Sequence, residues 1–380
     1  MSGAVPKLRF GGFAGEWKTE KLSKGIALIS GQHLGPEDYT RHEAGTPYFT
    51  GPSDFTNDES ALTKWTTAKA KIGLRGDVLI TVKGSGVGEL MLLELPEIAI
   101  GRQLMAIRSN GFAAKLLSHI LQGRRETFQA LAAGNMIPGL SRDDILSLKV
   151  ALPDVAEQQK IAAFLGAVDG RLAGLRRAEA ALVRFKAGLM QRLFSQKLRF
   201  TQDDGSAFPD WEEKRLGDVA LVQKGEQVNR DTLSNENAYP VINGGTGPSG
   251  FHTEFNTAGE TITISEGGNS CGYVAWQNRN FWCGGHCYSV IPRGKGLCKK
   301  FLFQALKNDE LAIMRLRVGS GLPNIQKGDL SKMTVSFPHP DEQRKIAAAL
   351  SALDAKIAAT ALQITKTERF KQGLLQQMFV

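Results

Sequence analysis

The chain has 380 residues, of which 42% are hydrophobic and 22% are charged, and its net charge of +9 suits a polyanionic partner. This length is enough for two domains that each bury a core, and the composition is that of a globular protein. No apolar run approaches the roughly 18 residues of a membrane span and the opening residues lack a secretory signal, so we expect a cytoplasmic protein.

In the first half, "GDVLITVKGSGVGE" at residues 76–89 predicts a buried strand that runs into a glycine-rich turn. Residues 139–153, "GLSRDDILSLKVALP", follow as a short turn or helix, a strand and a proline. A long amphipathic helix then begins behind proline and acidic residues, which favour a helix N-terminus. Its apolar stripe consists of Ile161, Leu165, Val168, Leu172, Leu175, Leu182, Leu189 and Leu193.

The second half predicts the same order of elements. "ETITISEGGNSCGYVAW" at residues 260–276 again predicts a buried strand and a glycine turn, and "NIQKGDLSKMTVSFP" at 324–338 leads into a second long helix. The apolar stripe of this second helix consists of Ile346, Leu350, Leu353, Ile357, Ile364, Leu374 and Met378.

Several segments of the sequence are repeated at an offset of 185 residues. "EQQKIAAFLGAVDGRL" from Glu157 recurs as "EQRKIAAALSALDAKI" from Glu342, where 342 − 157 = 185, and "RFKAGLMQRLF" recurs as "RFKQGLLQQMF". "KLRF" also occurs at Lys7 and at Lys197, and each copy is followed by a tryptophan, Trp17 or Trp211. Between these shared segments the two halves diverge.

The duplicated helices are about 40 residues each, or about 60 Å, which exceeds the width of a domain of this size. A helix packed on its own domain is the alternative, but two stripes in matching register favour mutual packing. We therefore predict an α+β chain in which two mixed α/β domains are separated by two long antiparallel helices forming a coiled coil, with a pseudo-two-fold internal repeat. The predicted segments are 1–153, 154–196, 197–338 and 339–380.

Three features that suggest chemistry are weak. The four cysteines match no paired zinc motif, although His286 between Cys283 and Cys287 keeps zinc as an alternative, and we expect free thiols and no metal. "GSGVG" at Gly84 lacks the Lys-Ser/Thr of a phosphate loop. "PDWEEK" from Pro209 holds carboxylates and a lysine in one short stretch, whereas nuclease metal ligands normally come from neighbouring strands.

Over essentially its whole length the sequence resembles the specificity subunits of type I DNA restriction-modification systems. The resemblance rests on "LPDVAEQQKIAAFLGAVDGRLAGL", "FPHPDEQRKIAAALSALDAKIAAT", the "GDVLITVKGS" strand and the "PNIQKGDLSKMTVSFP" lead-in. It implies that the two mixed α/β domains are target-recognition domains, each reading one half of a bipartite site in double-stranded DNA, and that the helices set the spacer. It also implies that the helices dock two methyltransferase subunits and that translocase-nuclease subunits join for cleavage.

The resemblance implies a non-catalytic subunit in defence against foreign DNA, with S-adenosylmethionine, ATP and Mg²⁺ bound only by partner subunits. The sequence agrees, since it has neither a Pro-Pro dipeptide for an adenine methyltransferase motif nor a Walker A loop. The alternatives are a self-contained DNA methyltransferase or nuclease that uses one variable domain, and a structural linker that binds no DNA.

Candidate DNA-binding residues are the polar side chains of the variable loops, where donors and acceptors for base edges collect. They are Gln32, His33, Lys83, Ser85, Lys224, Asn229, Arg230, Asn243, Asn269 and Ser270. For each of them the alternative is a solvated loop side chain. Candidate partner-binding residues are the bulky side chains off the main helix stripe, whose alternative is to cap the coiled coil: Phe164, Phe185, Phe370 and Phe379.

Overall fold

The computed structural model describes residues 5–111, 113–133, 139–236, 238–294, 296–319, 321 and 323–379. The chain divides into two compact units, which we describe separately. Unit 1 comprises Met1–Arg176 and Leu362–Val380, and unit 2 comprises Arg177–Ala361. Each unit therefore contains one divergent domain together with a part of each long helix.

Within its described residues, unit 1 contains ten short strands, three short α-helices and parts of both long helices. The strands are β1 (Lys18–Lys21), β2 (Ile26–Ser30), β3 (Thr46–Phe49), β4 (Trp65–Thr66), β5 (Ile72–Leu74), β6 (Val78–Thr81), β7 (Leu90–Leu92), β8 (Glu97–Ile100), β9 (Leu104–Ser109) and β10 (Lys149–Leu152). The helices are α1 (Ala114–Gly123), α2 (Arg125–Ala132), α3 (Arg142–Leu146) and the first part of α4 (Val155–Phe194). The strands form sheets of order β2-β9-β6-β7, β4-β3-β8-β5 and β1-β10.

Unit 2 repeats this strand order, except that its described residues contain no counterpart of β5. Its strands are β11 (Glu212–Arg215), β12 (Ala220–Lys224), β13 (Tyr239–Ile242), β14 (Phe251–His252), β15 (Thr261–Ser265), β16 (Val274–Gln277), β17 (Trp282–Cys283), β18 (Cys287–Pro292) and β19 (Thr334–Phe337). Its further helices are α5 (Leu216–Val219), α6 (Lys299–Asn308), α7 (Glu310–Arg315), α8 (Lys327–Lys332) and α9 (Pro340–Met378). The sheets have the order β12-β18-β15-β16, β14-β13-β17 and β11-β19.

The strands β6 and β15, which each lie inside a four-stranded sheet, are buried on both faces. In β6, Val78 and Ile80 pack in the same core as α1, whereas Leu79 packs in the core of the second sheet with Ile98 and Ile100. This alternation follows from the two-residue period of a strand. The glycine-rich turn after β6 lies at the end of this fixed strand.

The two long helices begin beside prolines and acidic residues of the sequence. Asp154 caps α4, because its carboxylate accepts a hydrogen bond of 2.8 Å from the backbone N–H of Glu157. Pro340 occupies the first turn of α9, where its missing N–H has no cost. Beyond the end of α4, Gln196 adopts a positive φ of 58°.

Both long helices use their apolar stripe partly to pack on their own domain. Ile161 and Leu165 of α4 lie in the same buried cluster as Trp17 and α1, and Ile346 and Leu350 of α9 lie in the main core of unit 2. Packing on the helix's own domain is the alternative to mutual packing of the two helices. Within each unit, the apolar residues of the long helices therefore pack in the core of the domain as well as against the neighbouring helix.

Ion pairs join the helix segments within each unit. In unit 1, Asp169 and Arg176 of α4 pair with Lys371 and Glu368 of α9, each at 2.6 Å. The partners' numbers fall as the α4 numbers rise, so these two segments run in opposite directions. In unit 2, Lys186 of α4 pairs with Asp354 of α9, also at 2.6 Å.

Among the described residues, one helix is long and apolar enough to cross a membrane by length and composition, namely α9 with a mean hydropathy of 1.2 over an 18-residue window. The expectation that no segment approaches this requirement is therefore wrong for α9. One such helix is weak support for a membrane span, because a packed helix of a globular protein meets the same criteria. In α9, Ile346 and Leu350 are fully buried in the core of unit 2.

Candidate nucleic-acid interface

In unit 2 the loops after β12, β13 and β15 converge beside the start of β18. Lys224 ends β12, Asn243 follows β13 and Glu266 follows β15. His286, just before β18, joins them: its backbone N–H donates to Asn243 Oδ1 at 3.0 Å and its carbonyl accepts from the N–H of Glu266 at 2.9 Å. We call Lys224, Asn243, Glu266, Ser270 and His286 the unit 2 edge.

The carboxylate of Glu266 is the fixed centre of the unit 2 edge. Glu266 is only 7% exposed, and its Oε1 accepts hydrogen bonds from Lys224 Nζ at 2.5 Å and from the Tyr288 hydroxyl at 3.2 Å. Burial, followed by the charge of Glu266, raises the pKa of Tyr288 to about 12, so the phenol stays protonated and donates. A buried negative charge therefore lies directly beneath an accessible ammonium group.

The glycine turn after β15 closes this edge. Ser270 Oγ donates to the carbonyl of Gly244 at 2.6 Å. Gly244 has a φ of 83°, and a Cβ at this position would lie 2.6 Å from the carbonyl oxygen of His286, so only glycine fits. Asn269, at the tip of the turn, is exposed. The turn thus fixes Ser270 and presents Asn269 to solvent.

In unit 1 the corresponding loops carry different side chains. Gln32, after β2, donates from Nε2 to the carbonyl of Lys69 at 2.8 Å, and His33 beside it is exposed. Lys83 and Ser85 are exposed in the turn after β6, where Gly84 has a φ of 91°. These four predicted residues lie in two loops of one unit.

Backbone pairing equates the two sets of loops residue by residue. Ser30 pairs with Met105 as Lys224 pairs with Tyr288. The N–H of Val82 donates to the carbonyl of Gln103, as that of Glu266 donates to the carbonyl of His286. We call the equivalent residues of unit 1 the unit 1 edge, and they are Ser30, Thr50, Val82, Gly86 and Gln103.

The structure brings some of the predicted DNA-binding residues together and leaves others apart. Lys224, Asn243 and Ser270 belong to one edge, with Asn269 adjacent in sequence. Asn229 and Arg230 lie on a separate loop, where the Asn229 side chain accepts from the N–H of Asp231 and so caps a short 3-10 turn. Asn229 therefore has a structural role, whereas Arg230 is exposed.

Sequence reasoning missed Glu266, His286 and Arg142 as members of the candidate interface. Arg142, the first residue of α3, is exposed and donates from Nη1 to Ser30 Oγ at 2.8 Å, which adds a guanidinium to the unit 1 edge. A charged residue directly after the apolar strand "TITIS" was a signal for Glu266. No sequence pattern indicated Arg142, because 112 residues separate it from Ser30.

The cysteines near the unit 2 edge are free, and Cys283 and Cys287 are buried. Their mutual hydrogen bond, together with burial, raises the pKa of Cys287 well above its usual value, which favours the neutral thiol over the thiolate that binds metal. The Nδ1 atom of His286 lies 3.7 Å from Oε2 of Glu266 instead. In the part of the chain that the structure describes, no group of three or more His, Cys, Asp or Glu side chains could hold a metal ion.

The candidate partner-binding phenylalanines fall into two pairs. Phe164 packs edge-to-face on Phe10 at 5.5 Å and Phe379 on Trp17 at 6.4 Å, so both rings take part in packing within unit 1. Phe185 and Phe370 are 61% and 55% exposed. Phe370 also lines an apolar groove of about 350 Å³ in unit 1, whose rim includes the cations of Arg171 and Lys366.

Comparisons with known proteins agree on one family. The profile of the type I restriction modification DNA specificity domain matches residues 209–368. A Mycoplasma pneumoniae protein described as a type I specificity subunit is 35% identical over 150 residues, which is 39% of this chain and 40% of that protein. The chain thus spans less than half the length of this relative. The MjaVIII type I specificity subunit of Methanocaldococcus jannaschii is 20% identical over 95% of this chain and 91% of its own length.

Solved structures give the same fold. The crystal structure of a type I restriction-modification S subunit from M. genitalium superposes with a TM-score of 0.71 over 99% of both chains, at 21% identity. A structure from work on complex assembly and conformational transition of the type I restriction-modification system has a TM-score of 0.54 at 20% identity, over 95% of this chain and 97% of that one.

Proposed function

Because this chain belongs to the family of type I restriction-modification specificity subunits, we propose that it is the sequence-specific DNA-binding subunit of such a complex. Each unit reads one half of a bipartite site in double-stranded DNA. The observation that carries the proposal is that the two edges share their backbone pairing but differ in side chains. Where unit 2 has Lys224, Glu266 and His286, the equivalent positions of unit 1 have Ser30, Val82 and Gln103. Different donors and acceptors on one scaffold are what two different half-sites require.

The two long helices are proposed to form an antiparallel coiled coil that sets the spacer between the half-sites, in a pseudo-two-fold arrangement of the repeat. The support is the length of α4, 40 residues or about 60 Å, and the ion pairs that join the helix segments within each unit. The segments 1–153, 154–196, 197–338 and 339–380 then act as domain, spacer, domain and spacer.

The proposed partners are two methyltransferase subunits, which would dock on the helices, and translocase-nuclease subunits. Exposed Phe185 and Phe370 support docking, because large apolar side chains in solvent are typical of protein interfaces. Phe164 and Phe379 are already packed. The chain itself is proposed to be non-catalytic and cytoplasmic, with S-adenosylmethionine, ATP and Mg²⁺ bound by the partners.

The recognition proposal is tested by co-expressing the chain with its methyltransferase subunit in a host without type I systems and mapping methylated adenines by single-molecule sequencing. We expect one bipartite motif that is absent when the chain is omitted. Replacing residues 200–337 with the same domain of another specificity subunit should change one half-site only. Methylation without the chain, or a change in both half-sites after the exchange, would refute the proposal.

The spacer proposal is tested by inserting four residues between Ala173 and Gly174, which lengthens α4 by about 6 Å. A base pair rises about 3.4 Å, so the gap between unchanged half-sites should grow by one or two base pairs. An insertion of the same four residues in the loop after Asp203 is the control. An active variant that keeps the original gap would show that the helix does not set the distance.

The docking proposal is tested by changing Phe185 and Phe370 to serine and measuring the binding of the methyltransferase subunit. Removing two aromatic rings from the interface should weaken assembly by about tenfold or more. Leu311→Ser is the matched control, since Leu311 is 71% exposed on α7 of unit 2. Equal binding by both variants would count against docking on the helices.

A further inference from the structure

The ion pair of Lys224 with Glu266 at the unit 2 edge presents an exposed cation on a buried carboxylate. We propose that Lys224, held in place by Glu266, reads a guanine in the half-site that unit 2 recognises. This inference rests on the proposed function, and it adds the identity of one base and of the residue that contacts it.

Exposure decides which partner of the ion pair reaches the DNA. The Lys224 side chain is 52% exposed, whereas that of Glu266 is 9% exposed. A carboxylate could accept a hydrogen bond from the N4 amino group of cytosine, but this one is covered by the ammonium above it. The group presented to a base edge is therefore a donor.

The ammonium keeps enough donors for guanine. It has three N–H bonds, of which one is directed at Glu266 Oε1 at 2.5 Å, so two remain. Guanine presents two acceptors in the major groove, O6 and N7. Adenine presents an amino donor in place of O6, and this donor would face the ammonium N–H. A fixed ammonium thus favours guanine over adenine.

Glu266 acts as a positioning residue because it is itself held from several sides. Its carboxylate accepts from the Tyr288 hydroxyl, and its backbone carbonyl accepts from the N–H of Ile325 at 2.8 Å. A free lysine loses considerable rotamer entropy when it binds, and a lysine that is already held by a fixed carboxylate loses less. Glu266 therefore prepares Lys224 for contact.

Unit 1 cannot form this pair, because the equivalent positions are Ser30 and Val82. Its edge carries the guanidinium of Arg142 on Ser30 Oγ instead. Any guanine contact in that half-site would come from a different element and a different direction. The inference therefore applies to the half-site of unit 2 alone.

The test uses the assembled methyltransferase complex and the motif found by methylation mapping. The unit 2 half-site, identified by domain exchange, should contain a guanine. Lys224→Met, which keeps the length of the side chain and removes its donors, should reduce methylation and relax that one position to all bases. Glu266→Gln should relax the same position by a smaller factor, and Glu266→Asp should restore part of the preference. Lys214→Met is the matched control, because Lys214 pairs with Glu212 on the surface of the same unit at 2.8 Å and should leave the motif unchanged.

A modified base distinguishes the loss of the guanine contact from misfolding of the variant protein. Replacing the guanine by 7-deazaguanine, which lacks the N7 acceptor, should weaken binding of the unaltered complex by about five- to 100-fold. The same replacement should not weaken binding of the Lys224→Met complex, which has no donor for the base. Equal losses in both complexes, or a unit 2 half-site without guanine, would overturn the inference while the bipartite motif still stands. Absence of any bipartite motif would instead overturn the proposed function.

Discussion

The two units share an anchor near the start of their long helices and differ at their edges. In unit 1, Arg9 donates from Nε and Nη2 to the carboxylate of Glu157 at 2.8 and 2.7 Å. In unit 2, Arg199 donates in the same way to Glu342 at 3.2 and 2.8 Å. Both carboxylates are fully buried. These residues belong to the segments that are nearly identical in the two halves.

The difference between anchor and edge follows from burial. A buried carboxylate that loses its arginine is left as an uncompensated charge, so neither residue of the anchor changes alone without a large cost. Exposed loop side chains such as Lys83 and Asn269 contribute little to folding and are free to vary. The chain thus keeps one scaffold twice and changes the chemistry that it presents.

A second shared cluster differs in one residue. Asp169 and Lys371 in unit 1 correspond to Asp354 and Lys186 in unit 2, and each pair is 2.6 Å apart. The third member is the buried His119 in unit 1, whereas Gln304 in unit 2 donates to Asp354 at 2.7 Å. This substitution gives the two units different responses to pH.

The largest effect should come from breaking the anchor. Arg9→Gln and Arg199→Gln each leave a fully buried carboxylate without its compensating charge, and each should lower the free energy of unfolding by about 3 kcal/mol. Urea unfolding measures the loss. Glu212→Gln, at a surface ion pair of unit 2, should change it by less than about 0.5 kcal/mol. Losses in the anchor variants as small as that would show that the anchor is not a shared stabilising element.

An intermediate effect should come from pH. Burial lowers the pKa of His119 to about 4, with the charges of Lys371 and Lys115 adding to the shift and Asp169 opposing it. Between about pH 6.5 and 4 the unfolded state binds more protons at this residue, so stability falls as pH falls through this window. From pH 7 to pH 5 unit 1 should lose about 2 kcal/mol.

His119→Gln gives unit 1 the residue that unit 2 has, and it should remove this loss. Urea unfolding of both proteins at pH 7 and pH 5 measures the difference, and Gln304→Ala in unit 2 serves as a control that should leave the pH dependence unchanged. A His119→Gln protein with the original pH dependence would assign that dependence to other groups.

The smallest effect should distinguish Trp17 from Trp211, the tryptophans that follow the two "KLRF" segments. Trp17 Nε1 donates to Glu157 Oε2 at 3.2 Å, whereas Trp211 Nε1 is buried without a partner among the described residues. Both lose similar packing on change to phenylalanine, but only Trp17→Phe removes a hydrogen bond to a charged group. Trp17→Phe should therefore cost about 1 to 2 kcal/mol more than Trp211→Phe, as measured by thermal unfolding. Equal costs would show that the indole hydrogen bond contributes nothing.

Much of the fold could be predicted from the sequence because its elements have strong local signals. The apolar runs "DVLIT" and "TITIS" predicted the buried strands β6 and β15, and proline with acidic residues predicted the starts of α4 and α9. The repeated "KLRF", tryptophan and "EQ" segments were visible as a pattern. Their physical meaning, an arginine bonded to a buried glutamate that lies 148 or 143 residues further along the chain, was not.

The sequence by itself determined the type and order of the elements, because hydrophobic period and helix caps depend on residues close together in the chain. Only the tertiary structure decided which polar residues form the edges. Lys224 and Glu266 are 42 positions apart, and strand pairing brings them together. Arg142 and Ser30 are 112 positions apart, and the tertiary placement of α3 brings them together. The tertiary structure also gave different roles to Asn229, whose side chain caps a turn, and to Lys224, whose side chain is exposed to solvent. Side chains of equal polarity in the sequence acquire different roles because the backbone around them fixes which donors and acceptors are already used.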